Sequence, residues 1–96
     1  MSHAPKLACS PLVYQVVVDE RVQAQLDALP AAALNAYLDL RSTLEAVPHN
    51  GRPLHPARPD GVLTFAFGPD GQGLVYYLVL DDLDRVDILD VQWLGA

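Results

Sequence analysis

The chain has 96 residues, 51% hydrophobic and 19% charged, with twelve Asp and Glu against six Lys and Arg for a net charge of −6. That length fits one domain with a small core, and that composition is too apolar and too weakly charged for a disordered chain. The sequence has no run approaching the roughly 18 apolar residues of a membrane span, no partner for an internal disulfide at its single Cys9, and no overall attraction for RNA or DNA, whose binding proteins gather Lys and Arg against phosphates.

The N-terminus MSHAPKLACS offers no basic region followed by a long apolar stretch, so the expected location is the reducing cytoplasm. Residues 1–11 are expected to form a flexible tail, with residues 12–96 as the single domain. Cys9, near Lys6 in that tail, is read as an idle thiol rather than a reactive one.

From Leu12 the run LVYQVVV has the β-branched and aromatic content of a strand. Gln15 is its one polar residue, which predicts cover on both faces. Asp19 and Glu20 follow, and a carboxylate there accepts from the free N–H groups of a helix start and opposes the positive end of its dipole. Val22, Leu26 and Leu29 give that short helix one apolar stripe. Pro30 ends it or opens the next. AAALNAYLDLRSTLEAV then runs to Pro48 without Gly or Pro, with Ala33, Leu34, Tyr37, Leu38, Leu40, Leu44 and Val47 at helical spacing. Two consecutive helices with so short a connection form a helical hairpin.

PHNGRPLHPARPDG is the one long irregular stretch, with four prolines and two glycines in fourteen residues. It is read as a surface connection stiffened by proline, or as a functional loop. Arg41, just before it, and His49, Arg52, His55 and Arg58 within it span a stretch whose only carboxylate is Glu45, whereas Asp81, Asp82, Asp84, Asp87 and Asp90 crowd the last third. VLTFAF, LVYYLVL and RVDILDVQWL follow, separated by GPDGQG and DDLD, and they predict a three-stranded antiparallel meander. In the last strand Asp87 and Asp90 have opposite parity, which requires an inward carboxylate or a bulge.

The chemistry-bearing residues form no recognised set. His3, His49 and His55 have no spacing that converges on a metal, and Ser42 sits within the long helix, where Ser is a tolerated polar residue. The acidic cluster at 81–84 lacks a calcium-loop pattern. GPDGQG joins two strands rather than a strand to a helix, so it is no phosphate cradle. No metal or cofactor is expected. Arg41 and Arg52 are the best anion-contacting candidates.

The order of strand, short helix, long helix, GRPL loop and meander resembles the RelE/ParE toxin superfamily, which includes plasmid-stabilisation proteins of bacterial toxin-antitoxin systems. The resemblance is carried by YQVVVDERVQAQLDALP, LEAVPHNGRPL and GLVYYLVLDDLDRVDILDVQW, from about Leu12 to Leu94. It implies an α+β fold with the helical hairpin on one face of a mainly antiparallel sheet, and an antitoxin as partner. Members cleave mRNA on the ribosome or poison gyrase. Where the nuclease members carry alternate arginines in the strand before the hairpin turn, this chain has Thr64 and Ala66; where they carry Arg, His or Tyr near the C-terminus, it has Asp90, Trp93 and Leu94. These replacements remove the groups that position phosphate and move protons.

The expectation is therefore a toxin-type protein that acts by binding protein, with Phe65, Phe67, Tyr76 and Trp93 as partner-binding anchors and an exposed sheet edge open to a strand of an antitoxin or of a second copy. The competing expectation is a ribosome-dependent endoribonuclease with a catalytic set drawn from Arg41, Arg52, His55 and Arg58. A third is a non-toxic domain that self-associates or binds a regulator.

Overall fold

The computed structural model describes residues 13–58 and 60–94. The expected tail, with His3, Lys6 and Cys9, lies outside the described residues, as does Leu12.

The elements run β1 (Gln15–Val17), α1 (Glu20–Asp27), α2 (Ala31–Ala46), a 3-10 turn (Pro48–Asn50), β2 (Arg52–Pro53), β3 (Leu63–Phe67), β4 (Gly73–Leu80), a second 3-10 turn (Asp81–Leu83) and β5 (Arg85–Trp93). One five-stranded sheet has the order β1-β5-β4-β3-β2. The meander β3-β4-β5 and the β2-β3 pair are antiparallel, while β1 lies parallel to β5.

Local chemistry explains the helices. Asp19 is extended and its carboxylate accepts from the Val22 N–H at 2.8 Å, which satisfies one of the donors a helix start leaves free. Val22 and Leu26 turn α1 towards the sheet and are buried. α2 follows Pro30 with no side-chain cap; its buried stripe is Ala33, Tyr37, Leu40 and Leu44, at steps of four, three and four along the chain. Leu38 and Val47, expected in that stripe, are 45% and 43% exposed. They sit beside the face that spacing selects.

Both helices cover one sheet face, where Val75, Tyr77, Val86, Ile88, Val91, Leu63 and Phe67 join Val22, Leu26, Tyr37, Leu40 and Leu44 in a single core cluster. Register explains the selection: Leu63 pairs with Tyr77, Tyr77 with Ile88, Val75 with Val91 and Val79 with Val86, so these side chains share a face. Asp87 and Asp90 lie on either side of a shift: Tyr76 is opposite Asp90 but Tyr77 is opposite Ile88, so Leu89 is an inserted residue. The bulge lets a buried row at 86 and 88 continue at 91.

Two expectations are corrected. The irregular loop contains a 3-10 turn and the edge strand β2, whose Arg52 pairs with Thr64 and Pro53 with Leu63; a two-residue strand with a proline shows no period to read. β1 is shorter than LVYQVVV and is a sheet edge. Gln15 is exposed, and among the described residues no element covers the second sheet face.

The loop is fastened from below. Tyr77 is fully buried, and its hydroxyl donates to the Pro48 carbonyl at 2.6 Å. Burial pushes the Tyr77 phenol up to about 12. Gly51 passes so close that a Cβ there would overlap the Tyr77 hydroxyl and stand 2.9 Å from the Thr64 carbonyl oxygen. Tyr77→Phe strands a buried carbonyl and should lower unfolding stability by about 1–3 kcal/mol. Gly51→Ala, which must push the phenol or the β3 backbone aside, should cost at least as much in the same urea titration. A midpoint unchanged in either variant would show that this contact does not hold the loop.

Candidate functional site

Strand register assigns the uncovered face: Arg52 from β2, Thr64 and Ala66 from β3, Leu74, Tyr76, Leu78 and Leu80 from β4, Arg85, Asp87, Asp90 and Gln92 from β5, and Gln15 and Val17 from β1. The centre is apolar. Leu74, Tyr76, Leu78 and Leu80 are half-buried by their strand neighbours alone. A groove of about 360 Å³ opens at the β2-β3 edge, lined by Asn50, Gly51, Arg52, Thr64, Phe65, Ala66 and Leu74. Of the two cations on this face, Arg85 is tied to Asp87 at 2.8 Å, while Arg52 makes no salt bridge among the described residues. One free guanidinium at the rim is little to hold a polyanion.

The four basic candidates do not converge. Arg41 stands on α2, on the helix side of the sheet, 3.7 Å from Glu45. Arg52 lies on the open face. His55 and Arg58 are exposed in the connection between β2 and β3, linked only by the Arg58 N–H donating to the His55 carbonyl at 2.8 Å. No side-chain hydrogen bond joins any two of the four.

The aromatic candidates divide between the faces. Tyr76 lies at the middle of the open one. Phe65 points to the helix side and lines a groove with Ala36, Asp39, Leu40 and Thr43. Phe67 is corrected: it is only 5% exposed, sits edge-on to Tyr37 with centroids 6.2 Å apart, and stacks on Trp93 at 5.9 Å. It is a core residue with little surface to give a partner. Gly73 pairs with Phe67, and a Cβ there would run into that ring, so the glycine makes room for it. Trp93 is half-buried against the same cluster, and its buried Nε1 has no hydrogen-bond partner.

Sequence reasoning missed one cluster. The Tyr14 hydroxyl donates to Asp81 Oδ1 at 2.8 Å, His49 Nε2 lies 2.8 Å from the same oxygen, and the two rings meet edge to face at 6.1 Å. It joins the approach to β1, the turn after α2 and the β4-β5 turn. Residues this far apart in the chain leave no local signal. His49 and Asp81 are exposed and Tyr14 is half-buried, and among the described residues no three His, Cys, Asp or Glu side chains are placed to share a metal. Its effect is to fasten three segments.

The Tyr14 hydrogen bond, then that of His49, holds the Asp81 carboxyl below the usual carboxylate range, and the same bond to Asp81 raises the Tyr14 phenol. A depressed carboxyl contributes stability above the unfolded-state value of about 3.9 and loses it as pH falls through the lower folded-state value. Wild type should therefore be more stable than Asp81→Asn at pH 6, and the difference should shrink below about pH 4. Parallel unfolding curves with a constant difference across that range would remove this role for the charge.

No protein-family model and no curated protein sequence matches the chain. Solved structures do. The toxin-antitoxin complex RelBE2 of Mycobacterium tuberculosis gives a TM-score of 0.70 at 24% identity, over 84% of this chain and 98% of that one. A mutant of the E. coli toxin RelE with two arginines changed to alanine, in its free state, gives 0.68 at 17% identity, over 84% and 83%. The archaeal RelE-RelB complex of Pyrococcus horikoshii gives 0.63 at 21% identity, over 86% and 97%. At these identities the likeness is one of fold, and it matches the two helices packed on a five-stranded sheet: the chain has the fold of the RelE proteins.

Proposed function

We propose that this protein is the toxin component of a type II toxin-antitoxin system, held by an antitoxin protein, and that it acts by binding another protein rather than by cutting RNA. The toxin-antitoxin reading rests on the fold shared with RelE, including structures in complex with RelB. The mode of action rests on one observation, the apolar character of the open sheet face.

Cleavage by a 2'-hydroxyl needs a base, an acid and cations placed around one phosphate. The open face instead places Thr64, Ala66, Leu74, Tyr76 and Leu78 at its centre. Apolar side chains there gain by excluding water against another apolar surface, and Tyr76 supplies an aromatic ring of the kind that anchors protein interfaces. The endoribonuclease alternative has only Arg52 on this face; Arg41, His55 and Arg58 would have to move to join it. Gyrase is a target class consistent with action through protein contacts.

Induced without an antitoxin, the wild-type chain should arrest growth while ribosome-bound mRNA stays intact, and Leu78→Lys should relieve the arrest. Arg52→Ala should leave it unchanged. Primer extension on mRNA from induced cells reads the outcome: cleavage that appears on induction and disappears with Arg52→Ala would replace this function with the nuclease one.

A further inference from the structure

The chain has two asparagines, Asn35 followed by Ala36 and Asn50 followed by Gly51. The second pair carries its own chemistry. The backbone nitrogen after an asparagine can give up its proton and attack the side-chain carbonyl carbon, and a glycine there, without a Cβ and with the widest choice of backbone conformations, resists least. The new C–N bond closes a succinimide ring and expels the side-chain nitrogen as ammonia. Water then opens the ring at either carbonyl, leaving aspartate or isoaspartate. No other reactant is needed.

The fold opposes this step from both sides of the asparagine. Asn50 is exposed, but it ends the 3-10 turn Pro48–Asn50, and its N–H donates to the Val47 carbonyl at 3.1 Å. A helical backbone at the asparagine turns the next nitrogen away from the side-chain carbon, so the turn must open before the ring closes. Gly51 is held as well: its N–H is turned to the Tyr77 hydroxyl, which itself donates to the Pro48 carbonyl at 2.6 Å. One buried phenol thus brackets the reactive pair.

The product cannot retrace the same path. Isoaspartate routes the chain through the side-chain CH2, which adds one backbone atom between Pro48 and Arg52. Gly51 passes the Tyr77 hydroxyl there with no space even for a Cβ. The added atom must displace β2 from its pairing with Thr64 and Leu63. It also sets a carboxylate beside Arg52, since positions 50 and 52 both line the groove at the β2-β3 edge.

We propose that the Asn50-Gly51 pair is a self-modifying site, which loses ammonia at a rate set by opening of the Tyr77 pin and whose isoaspartate product releases β2 from the sheet edge. The open face then loses its β2 rim. This inference is independent of the toxin reading, because its readouts are mass and amide exchange rather than growth.

The full chain, held at mildly alkaline pH and mapped by peptide mass spectrometry, should convert at position 50 while Asn35, inside α2, stays intact. Tyr77→Phe should convert about tenfold faster. Asp60-Gly61 and Asp70-Gly71 can close the same ring, but they expel water and leave mass and charge unchanged. In the purified isoaspartate form the Leu54 amide, which donates to the Val62 carbonyl at 2.9 Å, should exchange about tenfold faster than in Asn50→Asp, which has the charge without the extra backbone atom. Should Tyr77→Phe not fold by circular dichroism, wild type in buffer and in urea above its transition replaces that comparison. No conversion at position 50, equal rates within the comparison made, or an isoaspartate form with Leu54 still protected would overturn the proposal.

Discussion

The bond between the Tyr77 hydroxyl and the Pro48 carbonyl fixes how the two halves of this fold meet. Tyr77 belongs to the central strand β4 and Pro48 to the turn that ends the helical hairpin, 29 residues earlier. The contact therefore joins the sheet to the helices at the point where the chain must enter β2. Because the phenol is buried, the bond forms away from competing water, and leaving the carbonyl unpaired would be costly. Gly51 follows from it: only a residue without a Cβ lets the backbone pass over that hydroxyl and deliver Arg52 to pair with Thr64. The glycine of GRPL is thus explained by packing. Arg52 comes to the rim of the open face as a consequence of where Tyr77 anchors the loop.

A second constraint acts at the opposite side of the sheet. The bulge at Leu89 keeps Val91 in the core row, but it disrupts the strand where β1 has already departed. Backbone groups there would face water or another chain. α1 resolves this through Arg21 and Gln25, two polar residues on a helix whose Val22 and Leu26 are buried. One helix thus packs with two positions and covers a strand edge with two others. Asp90 connects them, its carboxyl held below the usual range by the hydrogen bond from Gln25 and then by Arg21.

Periodicity and turn chemistry carried the helices, the meander and the presence of an irregularity between Asp87 and Asp90, because each of these is encoded within a few neighbouring residues. The parallel β1-β5 pair, strand β2 and the Tyr14-Asp81-His49 cluster are set by tertiary contacts between segments far apart in the chain. For the candidate site, alternation could say that Phe65 and Phe67 share a face and that Tyr76 opposes Tyr77. It could not say which face the helices take, since both rows of β4 are hydrophobic. That ambiguity is why Phe67 reads from the sequence as an anchor and proves to be core.

The same two-sided hydrophobicity bears on what the molecule does. A sheet with one solvated face ordinarily alternates apolar with polar residues; β4 instead presents Leu74, Tyr76, Leu78 and Leu80 outward and Val75, Tyr77 and Val79 inward. The inward row is explained by the helices. The outward row has no such explanation among the described residues, and its charged neighbours are Arg52 at one edge and, on β5, the Arg85-Asp87 pair and Asp90, which is opposite Tyr76 and paired with Arg21. Covering these side chains would release water from apolar surface without stranding a charge. Placing a phosphate there would do the reverse, removing an anion from water with too few cations in return. The argument for a protein partner over a nucleic acid comes from that asymmetry.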